Sequence, residues 1–166
     1  MFQKNIDNWN CNHTPFQGAY TPTPVDTYPV NNSFEYKKGD FRELARGVNL
    51  QLTQNFHLKE FECHCGVCPT TLISFYHVQQ LQKLRNSLGR SIKINSAYRC
   101  PDHNKKVGGK TGSKHLTGLA TDIRVTGMTP TELYMICDKV LNFQGLGLYN
   151  TFVHADSRAG FNPARW

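Results

Sequence analysis

The sequence predicts an α+β fold in which helices flank a small antiparallel sheet, with an extended N-terminal arm in front. Two observations support this prediction. Apolar residues between positions 72 and 88 recur at helical spacing, and several short segments beyond position 90 have the composition of strands. The elements follow one another as helix, strand, glycine-rich loop, strand, helix and strand pair, an order typical of α+β domains. At 166 residues the chain is long enough for one folded domain with an appendage.

Two helices are predicted. The first begins near Leu72 and ends before Gly89, because glycine suits the left-handed conformation at a helix end. Its apolar positions are Ile73, Phe75, Val78, Leu81, Leu84 and Leu88. The second covers "TPTELYMICDKVLNF", where Thr129, Pro130 and Glu132 are typical of a helix start.

Four strands are predicted around these helices. The segment "SIKINSAY", Ser91 to Tyr98, alternates with Ile92 and Ile94 on one face. The segments "LATDIRV", "GLGLY" and "TFVHADS" also have strand character, and the last two lie close enough in the chain to form a hairpin.

Residues 1–45 are predicted to form the arm and residues 46–166 the folded domain. The first 40 residues hold four of the eight prolines and seven aromatic side chains, without a sustained helical or strand period. Prolines within "YTPTPVDTYPVNN" exclude a helix there. The aromatic content predicts that the arm packs either on its own domain or on a partner.

The net charge of +7 belongs entirely to the second part of the chain, because residues 1–50 carry five basic and five acidic side chains. A basic domain is attracted to nucleic acid, anionic membranes or anionic cell-wall polymers. Aromatic stacking platforms do not cluster near the lysines, which argues against nucleic acid.

No apolar run approaches the roughly 20 residues that span a bilayer. The start "MFQKNIDNWN" lacks the apolar core of a secretory signal, so we expect synthesis in the cytoplasm.

Three residues in the second half of the chain are candidate metal ligands. The segments "GSKHLTGLATDIRV" and "NTFVHADSR" supply His115, Asp122 and His154. Imidazole nitrogen and carboxylate oxygen are good zinc ligands, and a catalytic zinc takes three protein ligands with one position left for water. We expect His115 on a loop, with Asp122 and His154 on neighbouring strands. The helical H-E-x-x-H signature is absent, which excludes that class of zinc enzyme.

The blocks "INSAYRCPDHNKKVGG", "SKHLTGLATDIRV" and "GLGLYNTFVHADSR" resemble the zinc peptidase family that contains D-alanyl-D-alanine carboxypeptidases and phage endolysin peptidases of the L-alanyl-D-glutamate type. The family signature, S-x-H-x-x-x-x-x-x-D followed by a later strand His, is matched by Ser113, His115, Asp122 and His154. The resemblance covers about residues 54 to 158. It implies a hedgehog-like α+β fold, a single zinc ion, and hydrolysis of peptide bonds in the bacterial cell-wall stem peptide.

The resemblance also raises the question of the general base. Peptide hydrolysis needs an acidic side chain that takes the proton of the attacking water and passes it to the leaving amine. In the family this acid often lies three residues before the last zinc ligand, where this chain has Thr151. Asp156 follows His154 by two residues on the same strand face and is the candidate base. The alternatives for Asp156 are that it orients the zinc ligand or anchors a turn through Arg158.

Two further residues are candidates for substrate binding. Arg99 has a planar guanidinium that can hold a carboxylate bidentately, and the resemblance implies that it holds the substrate peptide. The structural alternative is an ion pair with Asp102 or Asp122. Ser113 could contact substrate, or it could cap the glycine-rich loop.

Cysteines form a second candidate site. The segment "FECHCGVCP" contains Cys63, Cys65 and Cys68, and Cys100 follows Arg99. Related wall peptidases often carry cysteines in these two places, which makes a disulfide attractive. Spacing alone does not separate a second zinc site, a disulfide and reduced thiols.

We therefore predict a zinc-dependent peptidase of bacterial peptidoglycan, of carboxypeptidase or endopeptidase type, which is a bacteriophage lysin or a virion-associated enzyme. It would be made in the host cytoplasm without a signal peptide and act on the wall after release. Its predicted partners are peptidoglycan and, through the arm, other virion proteins, but neither nucleic acid nor membrane. The alternative is a non-catalytic structural or wall-binding virion protein that retains a zinc site, as Thr151 would permit.

Overall fold

The structure is a computed structural model that describes residues 36–140, 143–160 and 162–166. Most of the predicted arm, residues 1–35, lies outside the described residues. The strands are β1 (Phe41–Ala45), β2 (Gln51–Thr53), β3 (Phe56–His57), β4 (Thr70–Ser74), β5 (Ile92–Ser96), β6 (Ala120–Val125), β7 (Gly145–Leu148), β8 (Val153–Asp156) and β9 (Ala164–Arg165). The helices are α1 (Phe75–Leu88), α2 (Pro101–Lys106) and α3 (Pro130–Val140), with single 3-10 turns at Leu58–Phe61 and Lys114–Thr117.

The largest sheet has the strand order β5-β6-β8-β7-β9. The first four of these strands pair antiparallel, and they are the four that the sequence predicts. Strand β9 pairs parallel to β7 at one edge, which the sequence analysis did not anticipate. The α+β class is confirmed, with small sheets and few helices.

Strands β1 and β4 form a separate antiparallel pair, and β4 directly precedes helix α1 in the chain. This pairing leads to two corrections of the predictions. Leu72 and Ile73 lie in strand β4 because this segment pairs with β1, so the helix begins only at Phe75. Strand β1 belongs to the domain, which moves the boundary expected at residue 45 towards the N-terminus. The ring of Tyr36 stacks on that of Phe75 with centroids 5.0 Å apart, so the folded part includes residue 36.

Both predicted helices have the capping groups that their sequences indicate. The Ser74 side chain accepts a hydrogen bond from the backbone N–H of His77, and α1 ends at Gly89, whose φ is 60°. Helix α3 starts with a reciprocal pair in which Thr129 N donates to Glu132 at 2.7 Å and Glu132 N donates to the Thr129 hydroxyl at 3.2 Å. These caps confirm the two predicted helix ends.

Side chains of the central strands β6 and β8 alternate between the core and the opposite face of the sheet. Thr121 and Ile123 on β6, like Val153 and Ala155 on β8, are fully buried against the core. The core is completed by residues of α1, α3, β7 and the N-terminal strands, including Leu44, Phe56, Phe75, Leu81, Leu84, Leu133 and Leu146. Because strand side chains alternate, the residues between them project together on the opposite face, where the candidate site lies.

Candidate metal centre

Three ligand atoms converge on the face of the sheet opposite the core. Asp122 on β6 lies directly across from His154 on β8, and His115 comes from the 3-10 turn that precedes β6. The His115 Nε2 atom lies 3.2 Å from Asp122 Oδ1 and 3.1 Å from His154 Nδ1, and the latter two atoms are 3.0 Å apart. All three side chains are buried. The structure thus brings together the three ligands that the sequence predicts.

The size of this triangle fits a single zinc ion. With zinc–nitrogen and zinc–oxygen bonds of about 2.0 to 2.1 Å, the edges of a tetrahedral site are about 3.3 Å long. The observed separations of 3.0 to 3.2 Å are close to this value. Three protein ligands leave the fourth tetrahedral position for water or substrate, as in catalytic zinc sites.

The second nitrogen of each imidazole is held by an acceptor outside the triangle. His115 Nδ1 lies 2.6 Å from the carbonyl oxygen of Ala97, which can only accept, so this nitrogen carries the proton. His154 Nε2 lies 3.2 Å from Asp156 Oδ2. With a metal ion in the triangle, each ring would keep its proton on this outer nitrogen and turn an unprotonated nitrogen towards the ion, as a metal ligand must.

Asp156 is the residue that orients His154. Its side chain is fully buried, with one oxygen on His154 Nε2 and the other accepting from Arg158 Nε at 2.8 Å. Burial by itself would raise the pKa of Asp156, but hydrogen bonds from Arg158 and His154 outweigh it and hold the pKa well below its usual range. The carboxylate is thus ionised, and it contacts the imidazole nitrogen that faces away from the triangle.

Asp122 is ionised for a similar reason and is oriented by Arg99. Burial would raise the pKa of Asp122, but hydrogen bonds with His115 and His154 hold it well below the usual range. The Arg99 guanidinium contacts Asp122 Oδ2, while its Nε donates to Ser96 at 2.8 Å. Of the two ion pairs that the sequence left open for Arg99, the structure forms the one with Asp122.

Two glycines on β7 make room for this arrangement, and sequence analysis missed their role. Gly145 lies opposite Asp156, and a Cβ at Gly145 would lie 2.1 Å from Asp156 Oδ2. Gly147 lies opposite His154, and a Cβ there would lie 2.5 Å from the indole nitrogen of Trp166. The alternating glycines of "GLGL" were the available signal, because glycine within a strand often marks a close approach of another group.

Trp166 covers one side of the site and was also missed. Its ring lies 5.3 Å from that of His154, and the Arg158 guanidinium lies 5.5 Å from the indole ring. The indole N–H donates to the hydroxyl of Tyr149 at 3.1 Å. Trp166 is 48% exposed, so part of its side chain covers the metal ligands and part of it faces solvent.

The remaining predicted residues lie around this centre. Ser113 caps the 3-10 turn by accepting from the backbone N–H of His115. Thr151 is exposed and lines a groove with Lys93 and Arg124 that contains none of the three ligands. Substrate contacts of Arg99 and Ser113 stay predictions.

The four candidate cysteines come together at a second place. The Sγ atoms of Cys63, Cys65, Cys68 and Cys100 all lie within 4.8 Å of one another. The structure thus joins the two cysteine-bearing segments that the sequence singled out.

Two imidazoles and a carboxylate, buried and with their outer ring nitrogens held by acceptors, make a ligand set that fits a mononuclear zinc site of the type found in metallohydrolases. The sequence profile of the Peptidase M15 family matches residues 54–156, a range that contains all three ligands. The chain belongs to this family of zinc peptidases, which includes D-alanyl-D-alanine carboxypeptidases and endolysins. The predicted resemblance and the predicted zinc cofactor are both confirmed.

None of the curated proteins compared with the chain matches it. Among the described residues, no helix combines the length and apolar character needed to cross a bilayer.

Proposed function

We propose that this protein hydrolyses peptide bonds in the stem peptides of bacterial peptidoglycan. The observation that carries the hydrolytic part is the triangle of His115, Asp122 and His154, in which the outer nitrogen of each imidazole lies within hydrogen-bond distance of an acceptor. Family membership supports the substrate class, because D-alanyl-D-alanine carboxypeptidases and endolysins belong to the same family. We also assign the domain the hedgehog-like variant of the α+β class on this ground.

Some residues of the site would bind the metal, and others keep the metal ligands in position. His115, Asp122 and His154 would hold zinc, which when bound acidifies a water molecule and polarises the scissile carbonyl. Arg99 fixes the free oxygen of Asp122, and Asp156 fixes the ring of His154, so that the ligand atoms keep their positions.

The surroundings suit a peptide that carries carboxylates. Lys105 and Lys106 at the end of α2, and Lys110 on the loop that leads to the His115 turn, are exposed and would attract an anionic stem peptide. The exposed part of Trp166 supplies an apolar surface next to His154. The cleavage experiment below identifies the bond that is cut, and therefore whether the protein is a carboxypeptidase or an endopeptidase.

Asp156 does not satisfy the geometry of a general base. A base must lie within hydrogen-bond reach of the water from which it takes a proton. Both Asp156 oxygens are engaged, and the contact with His154 is on the nitrogen remote from the ligand triangle. We therefore propose an orienting role for Asp156, one of the alternatives that the sequence left open.

The test is mass spectrometry of fragments released from purified peptidoglycan by the zinc-loaded protein, with His115→Ala as control. New fragments that appear only with the wild-type protein are expected, and their masses identify the bond. If protein shown to contain zinc releases nothing from several wall types, the proposal fails. The second candidate, a non-catalytic wall-binding protein, then stands, because Thr151 replaces the usual acid and Asp156 is already engaged.

For the biological setting we propose a bacteriophage lysin or virion-associated enzyme in which the proline- and aromatic-rich arm binds other virion proteins. Deletion of residues 1–35 is the suitable test, because Tyr36 already stacks on the domain. We expect the truncated protein to cleave peptidoglycan normally but to be lost from purified particles. Unchanged particle association would refute the role of the arm and leave the hydrolytic proposal untouched.

A further inference from the structure

The second cluster of metal-ligating side chains, here called the cysteine cluster, consists of Cys63, Cys65, Cys68 and Cys100. Their Sγ atoms lie within 4.8 Å of one another, and those of Cys65 and Cys68 are 3.1 Å apart. Cys63, Cys68 and Cys100 are at most 3% exposed, while Cys65 is half-buried. Such a convergence of four sulfur atoms at the protein interior is unusual for side chains that serve only as packing.

The dimensions match one tetrahedral ion. With zinc–sulfur bonds of about 2.3 Å, the sulfur atoms of a tetrahedral site lie about 3.8 Å apart. The sulfur–sulfur distances in the cysteine cluster are of this size, since they are 3.1 Å for Cys65 and Cys68 and at most 4.8 Å for any pair. A polynuclear iron–sulfur cluster would hold its four sulfur ligands farther apart, because several irons and sulfides lie between them.

The backbone around the cluster is shaped to present thiolates. Gly66 has a φ of 80° and its N–H donates to the Cys63 carbonyl, so the chain turns back between the first and last cysteines of the loop. The Cys100 N–H donates to Cys63 Sγ at 3.4 Å, and the His103 N–H at the start of α2 donates to Cys100 Sγ at 3.3 Å. Backbone N–H groups that donate to sulfur are the usual outer layer of metal–thiolate sites.

We propose that the cysteine cluster binds a second zinc ion at a closed, structural site distinct from the His115, Asp122 and His154 centre. Zinc is the preferred occupant because four thiolates in tetrahedral arrangement are the ligand set of structural zinc. A disulfide engages two sulfur atoms only and does not account for the convergence of all four.

The location gives this ion a definite task. It would join the loop of residues 63–68 to the segment that ends in Cys100. That segment contains Ala97, whose carbonyl accepts from His115, and Arg99, whose guanidinium contacts Asp122. The structural zinc would therefore hold in place the backbone segment whose Ala97 and Arg99 orient two ligands of the catalytic zinc. Those ligands are His115 and Asp122.

The first test is the zinc content of the full chain, purified under reducing conditions, loaded with zinc and freed of excess. The wild-type protein should hold two ions per chain, one for each group of ligands. His115→Ala should retain one ion through the cysteine cluster, and the double variant Cys65→Ser and Cys68→Ser should retain one through the other centre. Cys137→Ala is the matched control, since Cys137 is a buried cysteine outside the cluster and should leave two ions.

Cobalt substitution of the wild-type and His115→Ala proteins avoids reliance on cysteine variants that fail to fold. Thiolate ligation gives cobalt(II) a sulfur-to-metal charge-transfer band in the near ultraviolet, which a site of histidine and aspartate does not produce. We expect this band in both proteins. A His115→Ala protein that retains no zinc, the absence of the band, or a disulfide within the cluster detected by mass spectrometry without reduction would each overturn the proposal. None of these readouts depends on peptidoglycan cleavage.

Discussion

Asp122 and His154 face each other across the antiparallel pair of β6 and β8, with Oδ1 of the first 3.0 Å from Nδ1 of the second. Directly opposed residues are the closest side chains in an antiparallel sheet. The sheet register thus places a carboxylate and an imidazole at ligand distance, and the turn before β6 adds His115 as the third ligand. The predictions below test the groups that keep this geometry in place.

Asp156→Asn should weaken zinc binding by about 10- to 100-fold, because the neutral amide loses the charge that orients His154 and pairs with Arg158. Zinc affinity is measured by competition with a chelator, alongside peptidoglycan cleavage at saturating zinc. The matched control is Asp138→Asn, which removes an exposed carboxylate whose ion pair is with Arg165 and not with a candidate ligand. Wild-type zinc affinity combined with a loss of kcat by two or more orders of magnitude would instead identify Asp156 as the general base.

Gly145→Ala should destabilise the fold and reduce zinc content, because the new Cβ would lie 2.1 Å from the carboxylate of Asp156. That carboxylate cannot move aside without losing its bonds to Arg158 and His154. Overpacking of this kind costs about 1 to 3 kcal/mol of unfolding free energy, which urea denaturation measures. Gly112→Ala is the control, since nothing lies within 4 Å of its Cβ position and its φ is ordinary. Equal stability of both variants would contradict the proposed close packing.

Arg99→Lys should lower zinc affinity, because lysine cannot contact Ser96 and Asp122 at the same time with a planar group. Kinetics on a stem-peptide substrate separate this orienting role from the substrate contact implied by the family resemblance. Loss of zinc affinity with KM unchanged at saturating zinc supports orientation of Asp122. A raised KM with normal zinc affinity would support the substrate contact.

His77 should make the stability of the protein depend on pH. Its ring is buried between the hydroxyls of Ser157 and Thr121 at 2.8 and 3.0 Å, and burial lowers its pKa from 6.5 to about 3. Because the folded-state pKa is the lower one, the unfolded chain binds a proton that the folded chain does not. The contribution to stability is therefore full above pH 6.5 and is lost as the pH falls, by roughly 1 kcal/mol of unfolding free energy per pH unit.

Urea unfolding of the wild-type protein and His77→Gln between about pH 5 and pH 6.5 checks this expectation, since most carboxylates titrate at lower pH. The glutamine amide can still bond both hydroxyls but does not titrate. We expect a flatter pH dependence for the variant even if its stability is lower throughout. Parallel pH profiles of the two proteins would show that His77 is not the source of the slope.

The sequence was most informative where a local rule applies. Gly89 and Thr129 mark helix ends through nearby backbone groups, so the end of α1 and the start of α3 could be predicted from the chain alone, whereas the Ser74 cap was not anticipated. The helix start at Leu72 was wrong because apolar residues of strand β4 continue the helical spacing by chance, and only pairing with β1 shows that they are a strand. Strand β9 was missed because it is two residues long and is defined only by its pairing with β7.

By itself the sequence predicted the fold class, the family and the three candidate zinc ligands, because these depend on residue types in order along the chain. Only the tertiary structure showed the contacts of Asp156 and Arg99, which depend on which atoms each carboxylate and guanidinium reaches across neighbouring strands. The need for Gly145 and the convergence of the four cysteines were likewise decided in three dimensions. The physical reason is that ligand identity follows from side-chain chemistry, whereas orientation follows from sheet register and packing, which join residues remote in sequence.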